Sequence, residues 1–162
     1  MPETYEPINT QTLSGFTSSV NFSSIPQTYT DLILICMTVF AIDSVSIDIR
    51  FNGDTTTNYS ATRIVGNGTS VSSDRFSTTN IMRIGTGYST LTATSAHIFN
   101  YTNATTQKTV LSRSGNASNE TTSTVGLWRK TPEAITSISV FNTGSASFGA
   151  TSSFTLYGIR ST

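Results

Sequence analysis

The residues that could carry acid–base, nucleophilic or metal chemistry are few in this 162-residue chain. His97 is the single histidine and Cys36 the single cysteine. A serine nucleophile needs a base within hydrogen-bond reach, and the many serines include no G-x-S-x-G elbow. Hydrolysis by two carboxylates needs both groups in one cleft, and the nine acidic residues show no spacing that indicates such a pair. The sequence therefore predicts no enzyme activity and no cofactor.

Two places could hold a metal ion. The turn Asn52-Gly53-Asp54, with Asn58, offers oxygen ligands for calcium. Calcium takes about six to eight oxygens, several from carboxylates, whereas the positive φ angles of a hairpin turn explain these dipeptides without a metal. His97 could bind a metal only if three copies met on a symmetry axis, and a structural or rim position on a strand is the simpler interpretation. We predict no metal site.

The composition is unusually poor in charge. Charged residues make up 11% of the chain, and nine basic and nine acidic residues leave no formal net charge. Average soluble domains carry about 25% charged residues, and nonspecific nucleic-acid binding needs a basic excess. We therefore expect no nucleic-acid partner. Near-zero net charge favours contact between copies, so a protein that works packed against other proteins is indicated.

The chain carries no recognisable mark of export or of a membrane. One cysteine cannot build an internal disulfide framework. The start, Met-Pro-Glu-Thr-Tyr-Glu-Pro, lacks the basic and apolar regions of a signal peptide. No apolar stretch approaches the ~18 residues that a membrane helix needs. The sequence predicts a soluble protein made in the cytoplasm.

About a third of the residues are Ser or Thr, and they interleave with short Val, Ile, Leu and Phe runs. Such residues suit a pleated surface with one buried face, and helix formers are scarce. We predict one antiparallel β-sandwich domain, jelly-roll-like, over residues 13–162, preceded by an extended arm at 1–12. About ten strands are expected, at 16–25, 31–41, 44–52, 59–65, 75–84, 93–101, 109–113, 125–129, 135–141 and 154–159.

Two of these segments and one loop make specific predictions. The nearly continuous apolar run at 31–41 predicts a central strand buried on both faces. The alternation at 44–52 places Asp48 on an outward face. The residues at 114–123 are polar and are expected to form a loop.

Trp128 is the only tryptophan, and Arg129 and Lys130 follow it. An exposed indole beside basic residues could stack on a sugar or a nucleobase. It could equally anchor the core, since aromatic side chains supply large buried areas. A position in the core or in a contact between subunits is favoured.

Several longer stretches match a known group of proteins when taken together. They are Phe22-Ser-Ser-Ile-Pro-Gln-Thr-Tyr-Thr-Asp-Leu-Ile-Leu, Ile49-Arg-Phe-Asn-Gly-Asp, Asn58-Tyr-Ser, Phe99-Asn-Tyr-Thr-Asn-Ala-Thr-Thr-Gln-Lys-Thr-Val-Leu-Ser-Arg, Val125-Gly-Leu-Trp-Arg and Phe154-Thr-Leu-Tyr-Gly-Ile-Arg. The chain resembles, over nearly its whole length, the small virion proteins of tailed phages, especially those that infect aquatic bacteria.

The resemblance implies a structural protein of the phage particle, assembled in the host cytoplasm, with a jelly-roll-like sandwich that commonly forms a homotrimer. Members of this kind can act as capsid cement, or decoration, proteins, which sit where major capsid subunits meet. We expect partner contacts from Tyr5, Pro7 and Ile8 in the arm, by strand addition, and from Trp128 and Arg129.

The alternative is a receptor- or carbohydrate-binding module of a tail fibre or spike. That function predicts an exposed aromatic side chain, such as Trp128, Tyr88 or Tyr101, over a shallow groove. The absence of a long fibre shaft favours the head of the particle.

Overall fold

A computed structural model of the chain describes residues 4–116 and 118–160. Residues 1–3 of the predicted arm, Ala117 of the predicted loop and the last two residues of the predicted domain lie outside this part. The strands are β1 (Tyr5–Thr12), β2 (Ser19–Phe22), β3 (Asp31–Thr38), β4 (Val45–Phe51), β5 (Tyr59–Gly66), β6 (Val71–Thr79), β7 (Met82–Gly87), β8 (Thr92–Ile98), β9 (Lys108–Asn116), β10 (Glu120–Trp128), β11 (Ile138–Phe141) and β12 (Ser153–Ile159).

Eight of these strands form a jelly roll. β1, β12, β3 and β8 lie side by side in one sheet, and β2, β11, β4 and β7 form the other. Neighbouring strands are antiparallel. Along the chain these eight strands alternate between the two sheets except at β4 and β7, which are neighbours in the small sheet, and this is the jelly-roll path. The predicted antiparallel, jelly-roll-like sandwich is therefore confirmed, with twelve strands in the described residues where about ten were expected.

Two inserted hairpins widen one sheet. β5 and β6 are inserted between β4 and β7, and β9 and β10 between β8 and β11. They extend the first sheet in the order β8-β9-β10-β5-β6, so that this sheet has eight strands and the other has four. β1 and β6 are consequently the two edges of the large sheet.

One predicted strand and one predicted loop are wrong, because the sequence pattern does not reveal the two inserted hairpins. The segment 75–84 is not one strand: β6 ends at Thr79, whose hydroxyl donates to the Ile81 carbonyl at 2.7 Å, and β7 begins after this turn. The predicted loop at 114–123 is mostly strand, since Thr121 and Thr122 lie opposite the end of β9. Ser and Thr suit a strand as well as a loop, so the polar composition of this segment does not reveal that it is mostly strand.

The predicted arm belongs to the sandwich. Tyr5–Thr12 is extended, as expected, and pairs along its length with β12. The register shifts between Pro7 and Asn9, where proline cannot donate a backbone hydrogen bond. The segment is thus an edge strand with one free side.

The core lies between the sheets and contains two aromatic clusters. Phe40, Phe148 and Phe154 form one, with ring centroids 4.9 to 5.0 Å apart. In the other, Trp128 lies 5.4 Å from Phe51 and 6.3 Å from Tyr59 at the end of the sandwich that the inserted strands cover.

β3 is buried on one face only, which corrects the prediction for 31–41. Leu32, Leu34 and Cys36 face the core and are fully buried. Ile33, Ile35 and the other outward residues stay partly exposed, because no layer of the described chain covers the outer side of the large sheet.

Candidate functional site

The structure separates the residues predicted to contact partners. Tyr5 is 55% exposed, and it lies opposite Ile159 on β12. Pro7 is exposed opposite Tyr157. Ile8 is half-buried and packs against the core. β1 therefore presents Tyr5 and Pro7 at the edge of the large sheet and uses Ile8 to hold itself in place.

Trp128 belongs to the core. Its side chain is 2% exposed and its indole Nε1 donates to Asp54 Oδ2 at 2.7 Å. Tyr88 and Tyr101 are also buried, at 6% and 0% exposure. The exposed aromatic platform that the carbohydrate-binding alternative predicted from these three residues is therefore wrong, and Trp128 has no accessible surface to offer a partner.

Arg129 is half-buried and its guanidinium is engaged within the chain. Its Nη2 donates to the Ser77 carbonyl of β6 and, at 3.5 Å, to the Tyr59 carbonyl of β5. The side chain thus ties the end of β10 to the two strands beside it.

The turn Asn52-Gly53-Asp54, whose oxygen atoms could bind calcium, is held by a network of hydrogen bonds. Asp54 accepts from the Thr56 amide at 3.0 Å, from the Thr56 hydroxyl, from Asn58 Nδ2 at 2.9 Å and from the Trp128 indole. Although desolvation raises the pKa of Asp54, the bonds from Thr56, Asn58 and Trp128 outweigh it and hold the pKa well below its usual range. The carboxylate acts as the acceptor that joins this turn to the core.

The outer face of the eight-stranded sheet is not covered by any layer of the described chain, and apolar side chains alternate on it with Ser and Thr. A central row crosses the sheet from strand to strand: Pro7, Tyr157, Ile33, His97, Leu111, Val125, Thr62 and Arg75. Ile35, Ile64 and Leu127 flank this row. Val125 and Ile64 are 53% and 54% exposed. We call this surface the outer face.

Charge on the outer face is sparse. His97 Nε2 lies 3.1 Å from Asp31 Oδ2, and the His97 ring stacks on Phe99 at 4.0 Å between centroids. Arg113 is exposed near the middle and Arg75 lies on the edge strand. His97, for which the sequence predicts a structural or rim position, stands in the central row, where its pairing with Asp31 reduces the polarity of both groups.

The local sequence pattern does not reveal one buried carboxylate, that of Asp48. Asp48 faces outward from β4, as the alternation predicts, yet it is 0% exposed. Its Oδ2 accepts from Ser46 at 2.6 Å and from Thr143 at 3.0 Å, and Arg83 Nε lies 3.6 Å from Oδ1. Burial raises the pKa of Asp48, although Ser46, Arg83 and Thr143 oppose the shift. The cover comes from the segment after β11, which no local pattern reveals.

A cleft of about 490 Å³ opens beside Asp48. Arg63, Arg83, Asp43 and Glu120 line it together with small polar residues. Arg63 is bound to Asp74 at 2.6 Å, so its charge is already neutralised. The lining holds neither histidine nor cysteine, and Ser46, one of its serines, donates to the buried Asp48 carboxylate.

Within residues 4–116 and 118–160, no three His, Cys, Asp or Glu side chains are grouped so that they could hold a metal ion. The same residues contain no helix that is long and apolar enough to cross a bilayer.

Comparison with known proteins adds little to this geometry. No protein-family model matches the chain, and no curated protein matches it. Among solved structures, the chain is similar to a crystal structure of a protein of unknown function from Shewanella oneidensis MR-1. The two are 10% identical, the match covers 98% of this chain and 77% of the other, and the TM-score is 0.24. A likeness this weak supports no argument about fold or function.

Proposed function

We propose that the protein is a structural component of a tailed-phage particle, a capsid cement protein that binds the shell and bridges major capsid subunits. The observation that supports this most is the uncovered outer face. β3 is apolar enough for two-sided burial, but the described chain covers only one side. A large uncovered apolar surface on a soluble protein marks an interaction site.

The size of the outer face suits docking on a protein shell. Eight strands about 4.8 Å apart and about eight residues long, at roughly 3.4 Å per residue, span on the order of 1,000 Å². That area is large enough for the roughly 800 Å² that each partner buries in a standard interface. The sparse charge lowers the desolvation cost of covering it.

Repetition supplies the affinity in this proposal. A homotrimer, as the resemblance implies, presents three outer faces to a repeating lattice of capsid subunits. Each contact then raises the effective concentration of the next, so that modest single contacts sum to stable binding. No reaction is required of the protein.

The test is to locate the protein on intact particles. Phage particles purified from the host on a density gradient would be examined by quantitative mass spectrometry and by cryo-electron microscopy. We expect many copies per particle and density for the sandwich on the outside of the head. Absence from purified particles, or density confined to the tail, would contradict the proposal.

A further inference from the structure

The four edges of the two sheets are not equally protected. Unpaired edge strands invite pairing with other chains, and proteins block them with proline, bulges, short strands or cover. β1 carries Pro7 and a register shift beside it. β2 has only four residues, and Gln11 occupies its Asn21 carbonyl at 2.8 Å. β7 is buried apart from Arg83 and lies against a bulge in β4.

β6 is the least protected of the four edges. It is nine residues long and contains neither proline nor lysine, and its two charges, Asp74 and Arg75, have opposite signs. Arg129 occupies the Ser77 carbonyl, which lies beyond the bulge-free part of the strand. From Val71 to Phe76 it pairs with β5 without a break, and the bulge comes only beyond, opposite Tyr59 and Ala61. Val71 is 77% exposed, and most of its neighbours on the strand are exposed as well. In the described part of the chain, no strand pairs with the other side of β6.

We propose that the free edge of β6 pairs antiparallel with β6 of a second copy of this chain, centred on Ser73. The pairing joins two eight-stranded sheets into one continuous sheet across a twofold axis. This pairing goes beyond the proposed function, because it joins two copies of the chain and does not depend on the surface to which either copy binds.

Charge and the length of the regular strand select this register. Residues that oppose each other across an antiparallel pair must share a face, so the twofold axis lies between the two copies of one central residue. Centring on Asp74 or on Arg75 would oppose like charges. Centring on Ser72 would leave only three residue pairs within the strand, and centring on Phe76 would bring the bulge into the contact. Centring on Ser73 places Ser72 opposite Asp74, where the hydroxyl can donate to the carboxylate, and Val71 opposite Arg75.

A contact of about five residue pairs is weak for free molecules, as isolated strand pairs are marginal in water. It becomes effective when copies are concentrated on one surface. In a threefold trimer a twofold contact cannot lie inside the trimer. The β6 pair would therefore join neighbouring trimers.

Disulfide trapping tests the register. Ser73 is exposed, and directly opposed residues bring their Cβ atoms to about 4.5–5.5 Å, close to disulfide range. Cys36 is fully buried and cannot compete. We expect the Ser73→Cys protein to form a covalent dimer under mild oxidation at high concentration.

Ser77→Cys is the matched control, because Ser77 lies on the same strand and is also exposed but is four residues from the proposed centre. It would stay uncrosslinked, since two copies of residue 77 would lie about 27 Å apart at 3.4 Å per residue. Equal crosslinking of both variants, or of neither, would overturn the proposal. Either result leaves the location of the protein on the particle as a separate question.

A second variant checks the contact without cysteine chemistry. Ser73→Lys would oppose two ammonium groups at the centre of the pair and abolish self-association in sedimentation velocity at high concentration. Ser123→Lys adds the same charge at an exposed serine on the central strand β10, away from the edge. This variant would leave self-association unchanged. Unaltered association of the Ser73→Lys protein would also overturn the proposal.

Discussion

Asp54 joins the turn after β4 to the core tryptophan through one buried carboxylate. Each acceptor site of that group meets a donor from the turn or from Trp128. A charged acceptor makes stronger hydrogen bonds than a neutral one, which is why a polar side chain can lie beside the aromatic cluster. The same residue types that suggested a cation site are thus accounted for by internal bonding.

Replacement of Asp54 by Asn removes the charge and keeps the shape. We expect Asp54→Asn to lower the free energy of unfolding by about 2 kcal/mol at pH 7, in the range of hydrogen bonds to charged groups. The folded pKa lies below the unfolded value of about 3.9. The carboxylate therefore stabilises the fold above that value and stops doing so as pH falls through the folded pKa. The difference between the two proteins should narrow below pH 4.

Urea unfolding of both proteins at pH 7, 4 and 2.5 measures this difference. Asp43→Asn is the control, since Asp43 is exposed and accepts from the Ser89 amide at the surface. At pH 7 this variant should lose clearly less free energy of unfolding than Asp54→Asn. If Asp54→Asn lowers the free energy of unfolding by the same amount at every pH, the charge of Asp54 does not contribute to stability.

Particular residues show what can be predicted from the sequence. The alternation of Val45, Ile47 and Ile49 places the inward side of β4 correctly. It could not reveal that Asp48 on the other side is buried, because its cover comes from Thr143, about ninety-five positions away. Trp128 was ambiguous for the same reason: its neighbours in sequence are basic, and only the distant Asp54 fixes it in the core.

Among the strands, β7 approaches the large sheet unusually closely. Gly85 faces Ser114 and Thr94, and a Cβ built on it would lie 2.5 Å from Ser114 Oγ and 3.0 Å from Thr94 Oγ1. The small side chains on both sheets permit this approach. The inserted strands therefore stay packed against the jelly roll with hydroxyl groups as well as apolar ones at the contact.

A methyl group at Gly85 should disturb that contact. We expect Gly85→Ala to lower the free energy of unfolding by about 1–3 kcal/mol, the usual cost of overpacking a tight interior. Gly66→Ala is the matched control, because Gly66 also lies in a strand but has no atom within 4 Å of the added carbon; its stability should be nearly unchanged. Chemical denaturation measures both. Equal stability of the two variants would contradict the close approach.

For the molecule as a whole, the two sides of the large sheet differ in kind. The inner side packs against the small sheet, while the outer face is open and carries apolar side chains among Ser and Thr. Local periodicity predicted an apolar β3 but could not tell whether the second layer would come from the same chain or from a partner. Whether a partner supplies that layer depends on assembly, which the sequence of one chain does not describe.

A charge on the outer face should weaken docking without unfolding the protein. Val125 is 53% exposed, so Val125→Glu costs little in the free chain. If the outer face binds the shell, we expect this variant to lose most of its occupancy on particles that lack the wild-type protein. Phe16→Glu, at a residue that is 72% exposed in the segment between β1 and β2, should bind normally. Normal occupancy of both variants would exclude the outer face as the docking surface.

The pairing of β1 with β12 has a consequence for biosynthesis. Tyr5–Thr12 is synthesised well before its hydrogen-bonding neighbour, Ser153–Ile159. At about 5–20 residues per second, the interval between the two strands is on the order of ten seconds. The first strand therefore stays unpaired during that interval, and the large sheet gains this edge only after the last of its strands has been made.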